Sequence, residues 1–256
     1  MAWEDVRLDI AGGIARITVT RPDKLNAMRD QTADELLAAI QGAEAGGARA
    51  VLLTGEGRAF GAGYDLATLD PAAVPDLARV LQDHFNPVVR AMRSSPLPIV
   101  AAVNGACAGA SVGLALAADI VIAARSAFFY EPFVGIALVP DAGNTLFLPR
   151  IAGRIRASAA MLLGDRITAD QAERWGLVWK VVETDALLPE AEAICARLAD
   201  RAPSAIAWTK QLIARASEPD LDPMLDMERD LQGAAGRSPA MRAAVDAFFA
   251  ARGAKA

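Results

Sequence analysis

The sequence predicts an α/β fold with an all-helical C-terminal third. Two apolar runs of strand length, Ala50–Thr54 and Ile99–Val103, each lead directly into a segment of small residues and glycine. Helical patterns follow both segments, and the strand–loop–helix rhythm implies parallel strands with crossover helices. From Leu188 onward the periodicity is helical throughout, punctuated by Pro203, Pro219, Pro223 and Pro239.

The elements follow in order. Val6–Ile10 and Ile14–Thr20 form a hairpin around Gly12-Gly13, since β-branched residues dominate both arms. Arg21 to Asn26 is a turn. A helix begins near Thr32, with Leu36, Leu37 and Ile40 on one face, and Gly46-Gly47 ends it. After the strand at 50–54, Pro75 opens a helix towards Met92, which Pro87 is expected to kink or break. The strand at 99–103 precedes a helix over about 110–118, a buried strand at 119–123 and a short one at 127–130. Helices over 155–163 and 169–175 follow, the second with a capping box from Thr168 and Gln171. Residues 176–182 make a last strand. Helices near 188–200, 204–216, 223–233 and 239–251 complete the chain, and their apolar residues, Phe248 and Phe249 among them, must be buried on the core or on another subunit. The organisation is a core over 1–187 and a helical region over 188–256.

Composition narrows the function classes. The 256 residues are 54% hydrophobic and carry a net charge of −5, which speaks against a nucleic-acid partner. The two cysteines, Cys107 and Cys195, stand apart in no metal or redox motif and read as buried free thiols. No secretory signal pattern opens the chain, and the apolar stretch around 112–124 is too short for a membrane span. A cytoplasmic protein with no metal is expected.

The glycine segments carry the chemistry. In Ala59-Phe60-Gly61-Ala62-Gly63-Tyr64-Asp65 and Asn104-Gly105-Ala106-Cys107-Ala108-Gly109-Ala110-Ser111, missing Cβ atoms let backbone N–H groups approach a ligand. Two such groups converging on one point form an oxyanion hole, which suits acyl-thioester chemistry.

These residues resemble the crotonase (enoyl-CoA hydratase/isomerase) superfamily. Leu53 to Leu66, Ala102 to Val121 and Gly135 to Arg150 are similar to three successive signatures, and Leu163–Ile167 and Ala172–Val178 continue the match. The resemblance implies a spiral of ββα units with a C-terminal helical trimerisation region, in homotrimers or homohexamers. It implies an acyl-CoA thioester as substrate, with coenzyme A entering as part of it and no permanently bound cofactor. The backbone N–H groups of Tyr64 and Ala110 would form the oxyanion hole. Lys24, Leu25, Ala62, Asp65 and Leu66 would lie along the coenzyme A.

Hydratases of the family use two glutamates. Here the aligned positions are Gly113 and Phe133, neither of which transfers a proton. Asp141, in Pro140-Asp141-Ala142-Gly143, stands where other branches place a working aspartate, and burial in an apolar pocket would raise its pKa to a useful range. A single carboxylate that removes a proton and returns it elsewhere suits an isomerase. The stretch 126–182 resembles most the 1,2-epoxyphenylacetyl-CoA isomerases of phenylacetate degradation, with Asn144 replacing the usual second glycine.

Each of these residues also has a plainer role open to it. Asp141 could cap the following helix. Asp65 and Asp119 read as structural carboxylates, Glu131 as a surface or interface charge or else a displaced acid on the face of Phe133, and His84 as solvated or pocket-lining. The Tyr64 hydroxyl could reach the pocket. The Met and Phe residues near 85–92 read as core or pocket wall, and Arg150, Arg154 and Arg156 as a solvated or interface cluster or a phosphate contact. Two other functions stay open: an enoyl-CoA hydratase in which Asp141 or Glu131 activates water, and an acyl-CoA-binding protein without chemistry.

Overall fold

The computed structural model describes residues 3–68, 76–216 and 220–253. Ten strands make two sheets: β1 (Val6–Ala11), β2 (Ile14–Val19), β3 (Ala50–Gly55), β4 (Ala59–Gly61), β5 (Ile99–Val103), β6 (Ala106–Ala108), β7 (Ile120–Ala124), β8 (Phe128–Tyr130), β9 (Ile167–Thr168) and β10 (Lys180–Val182). The larger sheet runs β1-β2-β3-β5-β7-β10, the smaller β4-β6-β8-β9. The β1–β2 hairpin pairs antiparallel, and the larger sheet is parallel from β2 onward.

The chain repeats one unit. A strand in the large sheet is followed by a strand in the small one and then by a helix: β3, β4 and the helical run 77–94; β5, β6 and the helix Ala110–Ala117; β7, β8 and the helices Asn144–Ala152 and Arg154–Leu163. This is the ββα spiral. β3 and β5 are buried at every position, so they read as unbroken apolar runs rather than as alternation.

Of the small sheet, the sequence anticipates only β8, as the short strand at 127–130. The glycine segments expected as loops contain β4 and β6, three residues each, paired in parallel across a register shift between Ala59 and Gly61. Pro87 neither breaks nor ends its helix. The chain passes through a π-helical turn, Leu81–Phe85, and Asn86 and Pro87 then open the next α-helical stretch, where the missing N–H costs little. Pro75 lies outside the described residues, as do the Phe248 and Phe249 side chains. The last strand is shorter than expected, Lys180–Val182. Thr168 and Gln171 form the expected capping box, the Gln171 N–H donating to Thr168 Oγ1.

Helix Leu187–Ala199 packs Leu187, Ala191, Ile194 and Cys195 into the core. The helices Pro203–Arg215 and Leu221–Gly236 have no buried residue. Asp119 is structural: its Oδ2 accepts the Ile99 N–H at 2.8 Å and meets Lys210 Nζ at 2.7 Å. Both cysteines are free and buried. No described helix is long and apolar enough to cross a membrane.

Candidate active site

The small sheet brings the two glycine segments together. The Gly63 carbonyl accepts the Met28 N–H at 2.7 Å and the Asp65 N–H donates to Met28 O at 2.8 Å. Backbone groups alternate sides along an extended chain, so the Tyr64 N–H between them faces away from Met28. In the second segment Gly109 holds φ +55 and donates to Tyr130 O at 2.9 Å. Ala110 is then the first helical residue, whose N–H has no partner within its helix. Among the described residues neither amide hydrogen is taken by another backbone group outside regular elements.

The segments touch through their glycines. A Cβ on Gly63 would stand 3.1 Å from Ala108 O, and one on Gly109 would stand 3.5 Å from Gly63 Cα. Ser111 Oγ, buried behind them, accepts the Gly63 N–H at 3.2 Å. Asn26 fastens the first segment from the other side: its Nδ2 donates to Ala59 O at 2.6 Å and to Glu56 O at 2.9 Å. The sequence alone gives Asn26 as part of a turn and Ser111 as the end of the second glycine segment, with no further role for either. The signal for Asn26 is its residue type in a turn, since asparagine tolerates the left-handed region that it occupies here at φ +54.

A cavity of about 200 Å³ opens where the segments meet. Gly63, Tyr64, Gly109 and Ala110 form its floor, Leu77, Val80, Leu81 and Phe85 one wall, and Pro132, Phe133, Ile136, Leu138 and Asp141 the other. Of the expected cofactor contacts, Ala62 and Leu66 line this cavity, whereas Lys24, Leu25 and Asp65 do not. Asp65 instead pairs with Arg21 at 2.9 Å and accepts the Ala67 N–H at 3.3 Å, an anchoring role. The Tyr64 ring lines the cavity, but its hydroxyl donates to Asp30 at 3.0 Å. Burial and that bond push the phenol above its ordinary pKa. His84 lies beside Asp34 at 2.8 Å and Asp30 at 3.6 Å, tying the helical wall to the helix Asp30–Ala45. Arg156 lies over the Trp175 ring at 5.6 Å.

Among the described residues Asp141 is the one carboxylate that lines the cavity. It does not cap the next helix: Gly143 holds that position with no side-chain cap, and Asp141 contributes only its carbonyl, accepting the Asn144 N–H at 2.9 Å. Its Oδ1 is buried without a partner. Burial raises its pKa to about 6, partly opposed by its own backbone N–H. A carboxyl of that strength is ionised at neutral pH and still basic enough to accept a proton from carbon.

Gly113 explains why the first glutamate position is vacant of any side chain. A Cβ there would stand 2.3 Å from Ala142 O. Ala142 itself sits at φ +49, so the Asp141 turn is pressed against the helix with no slack. Gly113→Ala should therefore lower stability by about 1–3 kcal/mol and displace Asp141. A thermal melt and kcat check it together; unchanged values for both would contradict the packing argument.

Glu131 is corrected. It is no surface charge, being 1% exposed, and its two carboxyl oxygens have no partner among the described residues. Nor does it share an extended face with Phe133, because the chain turns into a 3₁₀ helix, Phe133–Ile136. Burial and then the Asp141 charge raise its pKa to about 8. Asn144, also buried, donates to Gly109 O at 3.1 Å and leaves its Oδ1 unpartnered.

The two-sheet spiral, the paired glycine segments and the acid-bearing cavity define a class of acyl-CoA enzymes. Residues 9–255 match the family described as Enoyl-CoA hydratase/isomerase, and the chain belongs to it. It is 42% identical over 244 residues to the 1,2-epoxyphenylacetyl-CoA isomerase of Escherichia coli (strain K12), spanning 94% of this chain and 93% of that protein. It is 42% identical over 253 residues to a Rhodobacter capsulatus protein named "Probable enoyl-CoA hydratase", spanning 98% and 97%. The solved enoyl-CoA hydratase of Bacillus anthracis superposes with a TM-score of 0.89 at 29% identity, over 96% of each chain.

Proposed function

We propose that the protein is an acyl-CoA isomerase that works through an enolate. The thioester oxygen accepts the N–H groups of Tyr64 and Ala110. The Asp141 carboxylate takes a proton from the carbon chain, and the C–H electron pair moves toward the thioester, placing negative charge on its oxygen. Asp141, now neutral, returns the same proton to another carbon, and the double bond has moved. Two fixed amide donors suit this because they meet charge as it develops, without reorganising.

The observation that carries this reading is the solitary position of Asp141. Among the described residues it is the one carboxylate lining a cavity that the two glycine segments also line. The concerted hydratase route needs two acids, and positions 113 and 133 hold glycine and phenylalanine. Similarity to the Escherichia coli isomerase supports a ring-derived acyl group and a role in phenylacetate breakdown. Ala62 and Leu66 would flank the coenzyme A, with Lys24, Leu25 and Asp65 further out. Exposed Ile155, Leu162 and Leu163 on one helix support assembly into trimers or hexamers. The setting would be the cytoplasm.

The test compares two substrates on pure protein. A 3-enoyl-CoA should be converted to its 2-enoyl isomer, and crotonyl-CoA should be hydrated far more slowly. Rapid hydration of crotonyl-CoA without isomerisation would make it a hydratase. Tight binding without turnover of either would make it a binding protein.

A further inference from the structure

Glu131 has no place in the mechanism above, yet it is the most costly residue of the site to bury. It directly follows β8 and precedes the Pro132 and Phe133 that line the cavity, on the wall shared with Asp141. At 1% exposure its two carboxyl oxygens are sealed from the surface and have no hydrogen-bond partner among the described residues. An ionised carboxylate in such a place is prohibitively unstable, so the group keeps its proton. Among the described residues no cation pairs with it. Cys107, on the neighbouring β6, is fully buried, and burial holds its thiol well above its ordinary pKa, so it brings no charge to Glu131. Asp141 faces it with a like charge. Arg166 stacks on the Phe128 ring of β8 at 4.4 Å, and Arg156 lies over Trp175.

We propose that Glu131 is a buried neutral acid beside the site: it keeps its proton, so the pair of carboxyl groups holds one negative charge, carried by Asp141. Two carboxylates close together in an apolar wall cannot both be ionised at low cost. One is sealed from solvent and the other opens on the cavity, so the charge settles on the one that meets the substrate. The apolar wall thus holds an acid that stays protonated and out of the reaction until the pH approaches 8, where a second negative charge enters the site. This rests on the isomerase reading only for its catalytic consequence; the charge distribution stands independently.

The test is a ¹³C NMR titration of the two side-chain carboxyl groups in the intact protein, with Glu131→Gln and Glu131→Met beside it. In the unaltered protein Asp141 should ionise near pH 6 and Glu131 near pH 8. Both variants should keep the step near 6 unmoved and lose the other. The pH profile of turnover should show the same loss of an inflection near 8 on the variants, which a merely structural side chain would not produce. Glu131 found ionised at pH 7, or an Asp141 step that falls by a unit or more in Glu131→Gln, overturns the proposal. The titration of the unaltered protein decides even where a variant does not fold. Absence of isomerase turnover, with the two titration steps as stated, would sink the isomerase reading and leave the pair.

Discussion

Asp141→Asn should lower turnover of a 3-enoyl-CoA by roughly 10²–10⁴-fold while acyl-CoA binding stays within a few-fold. The amide keeps the shape of the side chain and its place in the wall but cannot take a proton from carbon. The variant should also be well folded. The Asp141 carboxyl is raised from 3.8 to about 6 in the folded protein, so the folded state holds its proton more tightly than the unfolded chain does. Its contribution to stability is therefore full below pH 3.8 and is lost as pH rises to about 6. Asn does not titrate, so above pH 6 the variant escapes that loss and should melt no lower than the unaltered protein. A melting temperature well below it would mean that the aspartate is structural. For the unaltered enzyme the same value sets the acid limb: turnover should rise with pH through about 6 as the base ionises.

Ala110→Pro should cost about 10²–10³-fold in kcat, the scale of losing one oxyanion donor. Position 110 is the first residue of its helix, where a proline's fixed φ fits and its missing N–H breaks no helical bond. The substitution thus removes the hydrogen that the thioester oxygen would use and leaves the helix standing. Gly109 precedes it at φ +55 and ψ −130, an extended conformation that is the mirror image of the one preferred before proline and open to glycine. Ala110→Gly is the control. It removes the methyl group but keeps the amide, and it should retain activity within a few-fold. Equal loss in both variants would show that the side chain, not the backbone donor, matters. Full activity in Ala110→Pro would remove residue 110 from the mechanism.

The long elements were legible because their patterns are strong. β3 and β5 are continuous apolar runs, and the Thr168–Gln171 box marks a helix start with two reciprocal bonds. Apart from β8, the small sheet was not legible, for an equally physical reason. β4 and β6 are three residues each and β9 two, shorter than a period-two pattern needs to declare itself. They are strands because parallel neighbours hold them, which is a tertiary cause. The positions of Tyr64, Ala110 and Asp141 came from a resemblance in motif order, and the cavity brings all three to its lining. Glu131 was misjudged because acids are rarely buried unpaired, and only packing reveals that this one is. Gly113 showed a missing acid in the sequence; its contact with the Ala142 backbone shows why no side chain fits.

The central claim is that a thioester oxygen is held by two backbone amides beside one ionised aspartate. A crystal structure of Asp141→Asn with a bound 3-enoyl-CoA tests it most directly. The account predicts the thioester oxygen within about 2.7–3.1 Å of the amide nitrogens of both Tyr64 and Ala110, with the residue 141 side chain against the carbons that exchange the proton. A thioester oxygen turned away from those amides, or an acyl chain lying outside the cavity between Phe85 and Phe133, would contradict it.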